Sequence, residues 1–450
     1  MEREYDVVII GTGTAGRTLA GKVARSGLKT AIVDSREYGG TCPLRGCDPK
    51  EVLTDVAHDT DRINRLRGKG VGTDTPLMID WPSLIEFKKT FTEGYPIRIE
   101  KSLVDMGIDV YHGRAHFENR YTVVVGEDKL SGKYIFLATG AKPRKLNIPG
   151  EEYMTTSEEL METEKLPEKI IFVGGGYISL EFAHVVRRTG AEVTILHRSE
   201  RLLRQFDSDI VDILIKASEA AGIRILTDKP AVSIEKDAND FLVRTGSKPG
   251  TRSETRSFRA DMVVHGVGRV PDIEDLHLEK AGVKTEKGAI AVDKYLRTTN
   301  PRIYAGGDCA SEGVQLTPVA TLQGEVAAAN ILNENSVEAD YTGIPSAIFT
   351  IPVLASVGIS AAKDSDKYKV IFRDRSSWNT SRRAGTEFAA SKVIIDEADD
   401  RILGAHLLGP NTGEAINIFA AVMRLGLKAS DLKKLVFSYP TTCSDIPYML

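Results

Sequence analysis

Two cysteines five residues apart, Cys42 and Cys47, have the type and spacing to do chemistry in this chain. They lie in GGTCPLRGCDPKEVL, residues 39–53. In a regular helix, residues five apart are displaced by about 7.5 Å along the axis. A disulfide needs its Cα atoms within about 6.8 Å. A Cys42–Cys47 bridge therefore requires a bent or unwound segment, and Pro43 and Gly46 permit one. A strained bridge is the more easily reduced, as a catalytic one must be. Asp48, Pro49 and Glu51 read as the cap, first position and capping-box residue of a helix running on from this point. Helix N–H groups and Lys50 would favour a thiolate here. The alternatives are two unrelated buried cysteines or a metal site. Zinc wants four ligands, and neither a second close pair nor a nearby histidine supplies the rest.

Such a pair needs an electron source, and the flanking sequence supplies two nucleotide-binding patterns. YDVVII, residues 5–10, is a continuous apolar run, the mark of a parallel strand buried on both faces. Gly11, Gly13 and Gly16 follow in GTGTAG, then Ala15, Leu19, Ala20, Val23 and Ala24 at helical spacing, with Gly27 suited to the helix end. A second strand, TAIVD, ends in Asp34, 18 residues past Gly16. These glycines allow a tight turn and bring a pyrophosphate close to a helix N-terminus, and Asp34 can accept from a ribose hydroxyl.

The pattern returns over residues 169–198: KIIFV, then Gly174, Gly175 and Gly176, a helix ending near Gly190, and EVTIL. Gly11 to Asp34 and Gly174 to His197 both span 23 positions, and Ser179 takes the third-glycine slot. One such motif is weak; two in the same register indicate two nucleotides. The second copy has His197 in place of the carboxylate, followed by Arg198 and, six residues on, Arg204. Guanidinium groups bind phosphate in a forked geometry where a carboxylate would repel it. NADPH is accordingly expected in the second unit and FAD in the first. The alternative is a pair of solvated surface arginines.

The 450 residues suffice for about two to four domains. A net charge of −4 gives no reason to expect nucleic acid or an anionic membrane as partner. The apolar run at the amino terminus is far shorter than the about 20 residues of a spanning helix and lacks the form of a signal peptide. Four cysteines are too few to staple the chain. A cytoplasmic location is expected.

Taken together, CPLRGC, GGGYISLE, LATGAKP (137–143), GRVP (268–271), YAGGD (304–308), LTPVAT (316–321) and FTIPVLASVG (349–358) resemble the class I pyridine nucleotide-disulfide oxidoreductases, along essentially the whole chain. The resemblance implies an α/β fold with two Rossmann-like dinucleotide-binding domains, for FAD and NADPH, plus a carboxyl-terminal α+β dimerisation domain. It implies four segments: 1–148 for FAD, 149–270 for NADPH, a central 271–338 completing the FAD site, and 339–450 at the interface of a homodimer whose subunits share active sites. Ile148-Pro149-Gly150 and Val270-Pro271-Asp272 read as turns at the first two joints, and 248–257 as an exposed hairpin loop.

The family also implies roles. Cys47 is the flavin-proximal sulfur that becomes a thiolate, and Cys42 attacks the substrate. Lys50 resembles the lysine beside the flavin and Glu181 its ion-pair partner. Tyr177 gates the nicotinamide pocket, and Asp308 binds the ribityl chain. Further FAD contacts carry over to Thr14, Ala15, Gly40, Thr41, Ala115, Thr139, Gly140 and Thr317. NADPH contacts carry over to Gly174, Gly176, Ile178 and Gly268.

The carboxyl end departs from the family pattern. In SYPTTCSDIPYML, Tyr439 stands where the family has a histidine, and Ser444 where it has a glutamate. Imidazole titrates near neutrality, whereas a phenol, at about 10, is a poor base at pH 7. Cys443 is either an auxiliary thiol or incidental. The leading expectation is reduction of a low-molecular-weight disulfide by NADPH, close to glutathione reductase. The rivals are a flavoprotein passing electrons to quinones, oxidants or metal ions, and a redox sensor without sustained turnover.

Overall fold

The apolar runs that open both glycine patterns are buried on both faces, as continuous hydrophobicity requires. In a computed structural model, which describes residues 2–73, 75–238, 240–246, 256–361, 365 and 367–450, strand β1 (Glu2–Ile10) alternates its contacts. Val8 and Ile10 enter one apolar cluster; Val7 and Ile9 enter another. Each such fully buried aliphatic side chain is worth about 1.5–3 kcal/mol.

The chain divides into two compact units. The first gathers residues 1–50, 87–144 and 269–341. Here β1 leads through Gly11 to helix α1 (Thr14–Arg25) and strand β2 (Thr30–Asp34). β1 is parallel to β2 on one side and to strand Asp128–Leu137 on the other; Asp109–His112 extends the sheet beyond β2, and Ile303–Ala305 pairs with Asp128–Leu137. α1 packs on helix Thr317–Leu332, where Gly324 is required because a Cβ would stand 2.6 Å from the Ala15 carbonyl oxygen. After β2 come two short-range neighbours, α2 (Thr41–Arg45) and the start of α3 (Cys47–Arg65).

The second unit gathers residues 51–86, 145–268 and 342–450. Its nucleotide-type sheet holds β3 (Lys169–Val173) and β4 (Glu192–Leu196) between Met262–His265 and Ile223–Leu226, all parallel. Helix α4 (Tyr177–Arg187) joins β3 to β4, and α5 (Ser208–Ala220) follows. Ile170 and Phe172 of β3 face one core while Ile171 and Val173 face another. A five-stranded antiparallel sheet, from Ser346–Ile348 to Tyr368–Asp374 at its edges, carries helix Thr412–Arg424. The expected strand-then-helix run at the carboxyl end is thus a hairpin, Ala390–Asp396 with Ile402–Gly409, followed by that helix.

At the expected joints, Gly150 has φ +82° in a turn closed by Glu151 N–H to the Ile148 carbonyl. Val270-Pro271 does not turn: Arg269–Pro271 forms a ladder with Ala141–Pro143, because the extended backbone that precedes a proline pairs readily at an edge. The hairpin loop expected at 248–257 falls largely outside the described residues; Asp240–Thr245 and Arg256–Ala260 on either side of it are paired antiparallel. Among the described residues no helix is long and apolar enough to cross a membrane.

Candidate active site

The thiol segment is broken where its spacing demanded. α2 stops at Gly46, whose φ of −138° and ψ of −115° leave the helical region, and α3 starts at Cys47. A Cβ on Gly46 would stand 2.9 Å from the Thr41 carbonyl oxygen, so the fold of the break depends on glycine. Cys42 and Cys47 therefore sit on successive helices, both free in this structure and joined by a hydrogen bond. The expected cap set is corrected. α3 starts one residue ahead of Asp48, Lys50 N–H bonds to the Gly46 carbonyl, and Asp48 lies inside the first turn. There its Oδ1 accepts the Cys42 S–H at 3.7 Å.

The two sulfurs differ electrostatically. Cys47 is lowered from 9.0 to about 6, foremost by the hydrogen bond from Cys42; burial opposes this, and the Thr317 hydroxyl at 3.3 Å and the Lys50 charge assist it. Cys42 is pushed up, first by that same bond, then by burial and the negative charges of Cys47 and Asp48. At neutral pH the pair is a Cys47 thiolate beside a Cys42 thiol.

The first glycine turn makes a cradle next to this pair in the chain. Gly11 at φ +109° passes so near Ala138 that a Cβ would lie 2.1 Å from its oxygen. Gly13, by contrast, faces open space, and no side chain caps α1 there, so the helix N–H groups are available to an anion. Gly40, at φ +77°, lies directly against Gly13, which brings the Thr41 end of α2 to the same turn. Asp34 receives Thr12 N–H at 2.7 Å and the Thr12 hydroxyl at 2.6 Å on one oxygen, and Arg36 N–H at 3.0 Å on the other. A carboxylate has about four acceptor positions, so one remains for a ribose. Thr139 Oγ1 is buried without a partner, and Gly140 follows at φ +71°. Burial pushes the Asp308 carboxyl up, opposed by Arg269. Ala115 opens strand Ala115–Phe117 in the core. An open glycine pocket, a free helix terminus and an orphaned buried hydroxyl fit FAD.

The second turn is built alike. Gly174, at φ +111°, leaves no room for a Cβ beside the Gly266 oxygen, and Gly176 starts α4 without a side-chain cap. Ser179 is fully buried against Gly266, whose missing side chain gives the space that a third glycine would otherwise provide. His197 takes over the structural half of the Asp34 role: its Nδ1 accepts Gly175 N–H at 3.0 Å, as Asp34 accepts Thr12 N–H. Its Nε2 lies 3.0 Å from the Arg201 carbonyl, which makes the ring neutral with its proton on Nε2, in keeping with a pKa lowered chiefly by burial. Arg198 and Arg204 are exposed beside it, and Arg201 and Arg204 line a cavity of about 300 Å³ with Ser208 at the start of α5. These residues fit a phosphorylated dinucleotide. Tyr177 and Ile178 open α4, with Tyr177 exposed, and Gly268 has φ +100°.

Glu181, buried in α4, accepts Phe349 N–H at 2.9 Å. Lys50 belongs to the first unit and Glu181 to the second. Tyr439 is 83% exposed, and Leu425, Leu435, Val436 and Tyr448 of the same domain are exposed as well. Cys443 is half-buried, its thiol raised by burial and by Glu414 and Asp445. Sequence reasoning missed the contact of Asp48 with Cys42. The available signal was an acid immediately after the second cysteine, which helix-capping logic absorbed.

Comparison with known proteins agrees with this layout. The family description "Pyridine nucleotide-disulphide oxidoreductase" matches residues 5–324, and its dimerisation domain matches 344–449. The chain is 31% identical to a glutathione reductase of Nostoc sp. over the full length of both, and 30% identical to one of Burkholderia cepacia, covering 98% of this chain and 97% of that one. It is 32% identical to a trypanothione reductase of Trypanosoma congolense, covering 99% and 95%. A solved Cu(II) complex of the HOCl-induced flavoprotein disulfide reductase RclA of Escherichia coli superposes with a TM-score of 0.88 at 29% identity, over 99% of each chain. The chain belongs to the pyridine nucleotide-disulphide oxidoreductase family, as an enzyme with FAD and NADPH for cofactors and a dimerisation domain at its carboxyl end.

Proposed function

We propose that this enzyme uses NADPH to reduce a low-molecular-weight disulfide through Cys42 and Cys47, in a homodimer whose active sites are shared between subunits. The observation that carries the reading is the pair of free thiols on successive helices at the Gly46 break, Cys42 donating to Asp48 and Cys47 held at the Thr317 hydroxyl. FAD, when bound, supplies the redox ring that takes hydride from NADPH and passes two electrons to the sulfurs. The protein's share is orientation and charge. Gly11, Gly13, Thr14, Ala15 and Gly16 would hold the pyrophosphate and Asp34 the ribose, with Gly40, Thr41, Ala115, Thr139, Gly140, Asp308 and Thr317 completing the FAD site. Gly174, Gly176, Tyr177, Ile178 and Gly268 would line the NADPH site, with Arg198 and Arg204 on its phosphate. Thr317 and Lys50 stabilise the Cys47 thiolate, and Glu181 of α4 belongs to the same proposal as a site residue. Cys42 meets the acceptor, and Tyr439 of the carboxyl-terminal segment is assigned to the partner's site, as a hydrogen-bond donor. The four-segment division at 148, 270 and 338 belongs to the same proposal.

The glutathione and trypanothione reductases among the relatives support a small disulfide as acceptor, and the dimerisation-domain match over residues 344–449 supports the dimer. In the test, oxidised protein is titrated anaerobically with NADPH and its thiols are counted. Two new thiols, mapped to Cys42 and Cys47, are expected per NADPH consumed. No new thiol would refute the reading. A second reading, electron delivery to a metal ion or quinone, draws on the Cu(II) complex of the similar solved structure. Among the described residues no group of three His, Cys, Asp or Glu is placed to hold a metal. A Cys42→Ser protein that turned over quinone at the wild-type rate would favour that alternative for those acceptors.

A further inference from the structure

The single proton of Cys42 has two acceptors within reach. One is the Cys47 sulfur; the other is Asp48 Oδ1, at 3.7 Å. Three side chains thus bear on the Cys42 sulfur: Cys47, Thr317 and Asp48. Cys47 is the internal nucleophile and Thr317 a hydroxyl. Asp48 alone of the three is a carboxylate, with oxygens that can accept the thiol proton. Its position follows from the chain. The Gly46 break puts Asp48 in the first turn of α3, on the side that meets the Cys42 sulfur. Its exposed side chain also keeps it in exchange with solvent.

The need for such a group follows from the same geometry. The bond to Cys47, burial and two negative neighbours hold the proton on Cys42. A protonated thiol is a poor nucleophile, so attack requires that its proton leave as the new sulfur–sulfur bond forms.

We propose that Asp48 is a catalytic acid–base for Cys42, taking its proton on attack and returning it to the departing thiol. This rests on the disulfide-reductase reading above. In the first step the Cys42 sulfur bonds to one sulfur of the acceptor R–S–S–R and the acceptor's S–S bond breaks. The Cys42 proton moves to Asp48 Oδ1 and then to the leaving RS⁻, which departs as RSH with Asp48 again ionised. In the second step the Cys47 thiolate attacks the Cys42 sulfur, closing the Cys42–Cys47 disulfide and expelling the second RS⁻, which is protonated by solvent. Two electrons pass from the protein dithiol to the acceptor.

The test uses full-length, FAD-loaded protein reduced with NADPH. Two rates are measured for wild type, Asp48→Asn and Asp48→Glu: reoxidation by hydroxyethyl disulfide, and carbamidomethylation of Cys42 by iodoacetamide, read by peptide mass spectrometry. Loss of an acid–base group predicts an Asp48→Asn reoxidation rate lower by about 10²-fold. Removing a negative neighbour eases thiol ionisation, so alkylation of Cys42 should rise in the same protein. A purely structural role for Asp48 would not drive the two rates in opposite directions. Asp48→Glu, which keeps the carboxylate, should recover reoxidation to within about tenfold of wild type. Reoxidation of Asp48→Asn within about threefold of wild type, both rates falling together, or no recovery with glutamate each overturns the relay. A wild-type dithiol inert to the disulfide would instead refute the disulfide-reductase function, and the relay with it.

Discussion

Removing the Cys42 thiol should abolish most of the unusual acidity of Cys47. The hydrogen bond from Cys42 is the largest influence holding Cys47 near 6; the Thr317 hydroxyl and Lys50 are smaller, and burial and Asp48 work against them. At pH 7 a group titrating near 6 carries about ten thiolates per thiol, whereas one at the ordinary 9.0 carries about one per hundred. Cys42→Ala deletes the donor outright, while Cys42→Ser retains an O–H in nearly the same place. Cys47 as a residue is exposed although its sulfur is partly desolvated, so solvent screening trims the shift, and the threshold is set at about one pH unit. The assay is the pH dependence of Cys47 alkylation in reduced protein, with ultraviolet thiolate absorbance as a second reporter. Wild type should show an inflection near 6, Cys42→Ala one at least a unit higher, and Cys42→Ser a value between them. The sign follows from the chemistry. The thiolate of wild type is present above the inflection and is lost as pH falls through it, so reactivity at mildly acidic pH should separate the proteins most. An inflection in Cys42→Ala that coincides with wild type would show that Thr317 and Lys50 set the acidity and that the sulfur–sulfur contact contributes little.

Three further outcomes are expected. Gly13→Ala apoprotein should melt with wild-type apoprotein yet fail to retain FAD, because its Cβ meets nothing in the protein, while Gly16→Ala, whose Cβ would stand 2.0 Å from the Gly11 oxygen, should destabilise the fold itself; equal flavin content in Gly13→Ala and wild type would refute the cradle. Lys392, 1% exposed and 2.9 Å from the 3% exposed Asp207, should cost about 3–5 kcal/mol when replaced by Met, since a buried carboxylate loses its partner. Burial alone would raise the Asp207 carboxyl, but the hydrogen bonds from Lys392 and Ser360 outweigh it and hold it below the usual range; its stabilisation is therefore present above about pH 4 and lost as pH falls further, which acid-range melting curves of wild type and variant would show by converging. Arg198→Ala combined with Arg204→Ala should raise the KM for NADPH by about 10²–10⁴-fold and leave that for NADH nearly unchanged, each of the two charged hydrogen bonds being worth about 1.5–3 kcal/mol; parallel losses for both nucleotides in steady-state kinetics would refute the phosphate assignment.

What could be read from the chain without its fold was local. The doubled glycine turn, its 23-residue register and the continuous apolar strands are properties of adjacent residues, since turn dihedrals and two-sided burial leave their mark within a few positions. The break at Gly46 was legible for the same reason: five residues of helix cannot bring two sulfurs together. The partners of those residues were not legible. Asp48 looked like a helix cap because capping residues and proton carriers are the same residue types, and only the Gly46 dihedrals decide which way the first turn of α3 faces. His197 looked like a replaced ribose ligand until its Nδ1 was found on the Gly175 N–H. The Lys392–Asp207 pair left no local trace, because packing alone brings together groups 185 positions apart. Sequence determines the elements through short-range sterics and hydrogen bonding; which charges end up facing one another is settled by tertiary packing, where burial decides what a charge or a proton costs.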